Sequence, residues 1–170
     1  MPLSEGDFAE DNDTWFRVLT EDKYIRKGRI HHSAFSGGRT IAPPDPAKNR
    51  PWSHELSGRL RSLSTDVQRE AQEYCAEISR RTRQNKGFAG LMFSNVANLR
   101  TTLAARITTG VMYTPLPGTP SHADLTFTGS TAADITIPGV LVDWLQDAVT
   151  GLYPSQLSLL PGAPSGSRSP

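Results

Sequence analysis

An α+β domain with a small mixed or antiparallel sheet is the fold class this sequence predicts, and three observations predict it. Aromatic and β-branched runs stand far apart in the chain, at Thr14–Leu19 and Ala123–Thr128, and such residues suit a pleated surface. Between them, apolar residues recur every three or four positions, the period of a helix face. With 170 residues, the chain is long enough for one domain with a proper core and too short for two ordinary ones.

Residues 1–13 (MPLSEGDFAEDND) are acidic and carry a single phenylalanine, which reads as a flexible acidic arm. TWFRVL (14–19) is the first strand. Thr20 then opens a short helical turn, with Glu21 and Asp22 at the positive end of the dipole and Gly28 as its terminator. A second extended stretch runs from Arg29 to Ala42, interrupted by Gly37-Gly38. PPDPAKNRP (43–51) is a linker, because its four prolines remove donors and fix φ.

Leu56, Leu60, Leu63, Val67, Ala71, Tyr74 and Ile78 follow at spacings of 4, 3, 4, 4, 3 and 4. This predicts one long helix from Trp52 to Thr82 that covers the sheet. Its opposite face, with Arg59, Asp66, Arg69, Glu70, Glu73 and Arg80, reads as solvated charge. Gly58 and the Ser62-Leu63-Ser64-Thr65 run are poor helix formers, so a break near Ser64 is the alternative. GLMFS (90–94) reads as a strand and 96–106 as a helix, capped by Ser94 or Asn95. Strands over 109–116 and 123–128 pair across PLPGTPSH, and Pro138 opens a C-terminal helix reaching Val149. The domain thus spans 14–160 as a single unit. The tail 161–170, PGAPSGSRSP, has too little to bury and reads as disordered.

Composition sets several activities aside. Eighteen basic against 17 acidic residues give a net charge of +1, so no whole-molecule field attracts nucleic acid or an anionic membrane. The acidic N-terminus has no apolar run and no stretch approaches about 20 apolar residues, so neither a signal peptide nor a membrane span is expected. Cys75 is the sole cysteine. It forms no internal disulfide and rules out any zinc site needing two thiolates, in keeping with a cytoplasmic location. Its helical, apolar setting reads as a buried structural thiol.

Two polar loops are candidate sites. The first is Gly28-Arg29-Ile30-His31-His32-Ser33-Ala34-Phe35, which Arg17 approaches if this stretch pairs back. Arginine forks onto phosphate oxygens and histidine donates near neutral pH, so a phosphate or nucleotide suits it. Against this, Ile30 and Phe35 serve equally as core anchors, and adjacent histidines on a strand point to opposite faces. The second is the Pro-rich 115–122 loop, with Leu116, His122 and, beyond it, Asp124. His122 and Asp124 share a strand face, and a carboxylate that orients an imidazole is half of a general-base arrangement. No nucleophile elbow accompanies them. A metal shared by His31 or His32 with His122 and Asp124 is not demanded by any spacing, and no metal or other cofactor is expected. Between Ile78 and Ala123 stand six basic residues and no acidic one: Arg80, Arg81, Arg83, Lys86, Arg100 and Arg106. This 80–106 block suits nucleic acid or an acidic partner, but it also reads as a solvated helix end.

At these loops the sequence resembles a group of small bacterial proteins of unassigned function. They combine an arginine-bearing first strand, a G-R-[IV]-x-x-S-A-F-like element and a later P-L-P-x-x-P-x-H-A. Here those are Arg17, Gly28 to Phe35, and Pro115 to Ala123. The resemblance implies that Arg29 and His122 belong together in space, and it implies no activity. Three functions therefore stand as expectations. The first is a non-catalytic accessory or adaptor protein that binds a protein partner through the 115–122 loop, with Arg17, Arg29, Leu116 and His122 as binding residues. The second is a small enzyme acting on a nucleotide or phosphorylated ligand through Arg17, Arg29, His31, His122 and Asp124. The third is a nucleic-acid-binding accessory factor using the basic block, weakly and with steep salt dependence.

Overall fold

A computed structural model describes residues 2–20, 24–26, 29–31, 34, 43–49, 51–103 and 108–131. The predicted C-terminal helix over 138–149 and the tail 161–170 lie outside the described residues. The strands are β1 (Thr14–Leu19), β2 (Ile25–Arg26), β3 (Arg29–Ile30), β4 (Trp52–Leu60), β5 (Gly90–Asn95), β6 (Thr108–Tyr113) and β7 (His122–Gly129). The helices are α1 (Val67–Thr82) and α2 (Val96–Leu103). Five strands form one antiparallel sheet in the order β5-β1-β4-β7-β6, and β2 and β3 make a separate short hairpin. The α+β class holds, with an antiparallel sheet. Ile25 and Arg26 are strand where a helical turn is expected.

The long helix is corrected. Its first third is β4, the central strand, and only Val67–Thr82 is helical. A spacing of four fits both periods, because positions four apart share a helix face and also a strand face. Along β4 the alternation is in fact two: Leu56, Gly58 and Leu60 face one side, and Glu55, Ser57 and Arg59 the other. The chain does change course near Ser64, through a single 3-10 turn at Arg61–Leu63. Asp13 fastens that turn to the start of β1, accepting from Ser62 N at 3.1 Å and from Thr14 N at 2.7 Å. Helix α1 starts where Asp66 caps it, its carboxylate accepting from Arg69 N at 3.0 Å.

The two sheet faces differ in kind. One is dominated by apolar side chains: Trp15, Leu19, Leu56, Leu60, Met92, Val111, Leu125 and Phe127 pack with Val96 and Leu99 of α2. On the other, α1 covers only the β5-β1 half, where Phe16, Val18 and Leu91 meet Val67, Ala71 and Cys75. The β4-β7 half of that face carries Arg59, His122 and Asp124, all buried. Residues 6–9, read from sequence as part of a loose arm, run along the outer edge of β6. Gly6 N donates to Tyr113 O, Tyr113 N to Asp7 O and Ala9 N to Val111 O.

Cys75 is 6 % exposed in the smaller cluster. Burial pushes its thiol above the ordinary value, and the Arg59 charge pulls it partly back. The native thiol is therefore expected to react with an aromatic disulfide reagent many times more slowly at neutral pH than the urea-unfolded chain does. Equal rates in the two states would show that Cys75 is open to solvent. Because the folded thiol holds its proton more tightly, its contribution to stability is full below the unfolded value of about 8.5 and falls as pH rises past it.

Candidate functional site

The site arises where two neighbouring strands part. β1 pairs with β4 only at Trp15↔Leu60 and Phe16↔Arg59, and thereafter follows β5 alone. Arg17 reaches into the gap, its Nη1 donating to the Ser57 carbonyl at 2.7 Å. The resulting cleft has a volume of about 430 Å³. Its floor is Val18 of β1 with Glu55, Ser57 and Arg59 of β4. Tyr74, Glu77, Ile78 and Arg81 of α1 form one wall. Leu116, Thr119 and His122 form the opposite lip.

That lip is rigid for a local reason. Leu116 and Thr119 exchange backbone bonds of 3.3 and 2.9 Å around Pro117-Gly118. Gly118 has φ 77°, the left-handed value that the third position of a type II turn needs and that glycine supplies freely. Proline at the second position presets the turn. The segment is thus a tight reversal, not the extended polyproline strand that a Pro-rich ligand presents.

At the base of the lip, His122 is held from one side. Its Nδ1 lies 2.7 Å from the Thr114 carbonyl and 3.0 Å from Thr114 Oγ1. A carbonyl only accepts, so Nδ1 carries the proton and Nε2 is the acceptor of the neutral ring. Thr114 Oγ1 in turn donates to Asp124 Oδ2 at 2.9 Å. Asp124 Oδ1 is buried without a hydrogen-bond partner among the described residues and lies 3.9 Å from His122 Nε2. The two residues do share a strand face, with Thr114 joining them.

Arg59 occupies the opposite side of the floor. Its side chain is 9 % exposed. Burial lowers its pKa from the ordinary value, and the neighbouring Glu70, Tyr74, Glu77 and Glu73 oppose that shift. Nε lies 3.3 Å from Glu70 Oε2, and the guanidinium carbon sits 5.1 Å from the centre of the Tyr74 ring. Glu70 also accepts from Ser121 Oγ at 2.6 Å and from Ser64 Oγ at 2.8 Å. One carboxylate therefore joins α1 to β4, to the turn that follows it, and to the 115–122 loop.

Of the residues singled out from sequence, Arg17, Leu116 and His122 line this one cleft, and Asp124 stands beside His122. Arg29 lies in β3, its backbone opposite Arg26 in the short hairpin, and its side chain is outside what is described. His31 donates its backbone N–H to Tyr24 O at 2.7 Å and is not among the cleft residues. His32 lies outside the described residues. Arg59 and Glu70 were missed, because a helical reading assigns them to a solvated face; Tyr74 was read as core, and Glu77 was not singled out. The signal available was the alternation of Glu55, Ser57 and Arg59 with Leu56, Gly58 and Leu60. The basic block is divided. Arg100 is paired with Asp11 and donates to Ala9 O at 2.7 Å, whereas Arg80, Arg81 and Arg83 cluster at the end of α1. Arg106 is outside the described residues. Among the described residues no group of three or more His, Cys, Asp and Glu side chains is placed to hold a metal ion, and no helix is long and apolar enough to cross a membrane.

Compared with known proteins, the chain matches no family model, no curated protein and no solved structure.

Proposed function

We propose that this protein binds a small charged molecule in the cleft between β1 and β4, with His122 placed to accept a proton from it. The observation that supports this most is the meeting of Arg17 and His122, far apart in the chain, in the wall of a single cleft of about 430 Å³. That volume lies in the range of roughly 300–1,000 Å³ usual for small-ligand sites. A histidine whose proton is fixed on Nδ1 by an acceptor presents Nε2 as the base, the arrangement general-base chemistry uses.

The test is a thermal-shift screen of charged metabolites, followed by titration of each hit against two variants. Arg17→Ala is expected to weaken binding by about tenfold or more, the usual scale for removing one charge-assisted hydrogen bond to a ligand. His122→Gln keeps a donor and an acceptor but cannot take up a proton. It is expected to bind the hit and, if the hit is turned over, to turn it over far more slowly. Hits whose affinity is the same in Arg17→Ala and wild type would remove the cleft as the site.

A second reading, an adaptor that grips a protein partner by the 115–122 loop, draws on Leu116. This residue is 50 % exposed at the tip of the turn, and an apolar anchor of that kind carries much of an interface's energy when a partner buries it. Leu116→Ala separates the readings, because it should release a protein partner and leave small-molecule affinity nearly unchanged.

A further inference from the structure

We infer that this cleft takes a small hydroxycarboxylate, its carboxylate held by the forked Nη donors of Arg59 and its hydroxyl turned to Nε2 of His122. The inference rests on the cleft being a ligand site and goes on to name the class of ligand. Arg59 lines the cleft although its side chain is only 9 % exposed. Glu70 stands on its Nε side at 3.3 Å, and the centre of the Tyr74 ring is 5.1 Å from its guanidinium carbon. Neither Nη1 nor Nη2 makes a hydrogen bond to a described residue. A guanidinium so far buried, with these donors unspent, is an incomplete arrangement. Its parallel N–H groups match the two oxygens of a carboxylate. Arg17 supplies charge here and is not asked for donors, since its Nη1 is committed to the Ser57 carbonyl.

The register of the sheet sets the second contact. Arg59 of β4 stands opposite His122 of β7, and residues so opposed have β-carbons about 5 Å apart. Both line the cleft, so one small molecule reaches both. With Nδ1 spent on Thr114, Nε2 of the neutral ring is an acceptor. A hydroxyl satisfies it, whereas a carboxylate oxygen does not. Charge then limits the anion. Glu70, Glu73 and Glu77 all place negative field on Arg59. A carboxylate meets that repulsion with one charge, a phosphate monoester with about −1.5 to −2. The monoanion is favoured over a nucleotide.

Titration calorimetry on the full chain decides it. The probes are glycolate, lactate and 3-hydroxybutyrate, each beside its deoxy acid and its amide, with adenosine monophosphate as the polyanion. At least one hydroxycarboxylate is expected to bind about tenfold or more tightly than its amide, the scale of one charge-assisted hydrogen bond. It should also bind severalfold more tightly than its deoxy acid. The double variant Arg59→Met/Glu70→Leu removes the fork without leaving a buried charge, and should bring the acid down to the affinity of its amide. His122→Phe should erase the preference over the deoxy acid. If adenosine monophosphate binds more tightly than every hydroxycarboxylate and is lost in the Arg59 variant, the class is wrong but the cleft remains the site. A probe that depends on Arg17 or His122 but not on Arg59 likewise keeps the cleft and overturns the inference. If no probe depends on any of the three, both the class and the site are wrong. Circular dichroism of each variant separates loss of binding from loss of fold. Should the double variant unfold, Arg59→Lys, which keeps the charge and loses the fork, is expected to weaken the acid severalfold, and unchanged affinity there overturns the inference.

Discussion

Gly58→Ala is expected to destabilise the protein by about 3 kcal/mol or more, at or above the upper end of the usual cost of overpacking a core. Gly58 stands on the apolar side of the central strand, with the Trp15 indole packed against its backbone. A methyl group there would fall inside the contact distance of Cε2 and Nε1 of Trp15, and 2.6 Å from Cζ2. The indole has nowhere to go. It is fully buried, and its Nε1 donates to the Ala123 carbonyl at 3.2 Å. Urea unfolding followed by tryptophan emission measures the loss. Pairing the change with Trp15→Leu should cost much less than the sum of the two single changes, because the smaller side chain vacates the collision. A loss below about 0.5 kcal/mol, within the range of an ordinary surface substitution, would show that the indole does not lie on Gly58.

Glu70→Ala is the second large effect, of about 3 kcal/mol, because it leaves the Arg59 guanidinium buried without its ion pair. The Ser121 and Ser64 hydroxyls lose their acceptor in the same step. Ser121→Ala removes a single hydrogen bond and is expected to cost only about 1 kcal/mol. The two costs have different origins, and a repair experiment shows it. Replacing both charges, as Arg59→Met with Glu70→Leu, should recover most of the loss, since no orphaned charge remains. Denaturant midpoints of the three variants give the comparison. A Glu70→Ala protein as stable as Ser121→Ala would mean that Glu73 and Glu77 already suffice for Arg59.

Much of the fold was legible in the sequence. Thr14–Leu19 announces a strand through its aromatic and β-branched residues, and Val67 to Thr82 announces a helix through the spacing of Val67, Ala71, Tyr74 and Ile78. The stretch just before was misread for a physical reason. Leu56 and Leu60 are four apart, which both periods allow, and only the residues between them distinguish a helix from a strand. Reading Gly58 as a weak point of a helix missed that it is the place where an indole must fit. The error passed on to the site, because a residue thought to lie on a helix surface is not considered for the floor of a cleft. Arg17, His122 and Leu116, singled out from their chemistry and the Pro-rich turn, stand together in the lining of one cleft. Arg59 and Glu70 were not singled out, since their roles depend on which strand lies beside which helix. The order β5-β1-β4-β7-β6 fixes that neighbourhood, and no local pattern carries it.

The short run of residues 6–9 along β6 has a consequence for solubility. A sheet that ends in a bare strand offers its unpaired N–H and C=O groups to any other chain, and such edges seed aggregation. Here the edge is occupied by a stretch too short and irregular to present a new flat edge of its own. Phe8 lies over Gly110, where a β-carbon would meet its ring at 2.6 Å, so the absence of a side chain on β6 is what lets the cover sit down. Glu5, Asp7 and Glu10 surround it with negative charge, which repels a second copy approaching the same way. The N-terminal segment thus works as a guard against misassembly, and any change that lifts it, including a bulkier residue at 110, hands the molecule an adhesive strand.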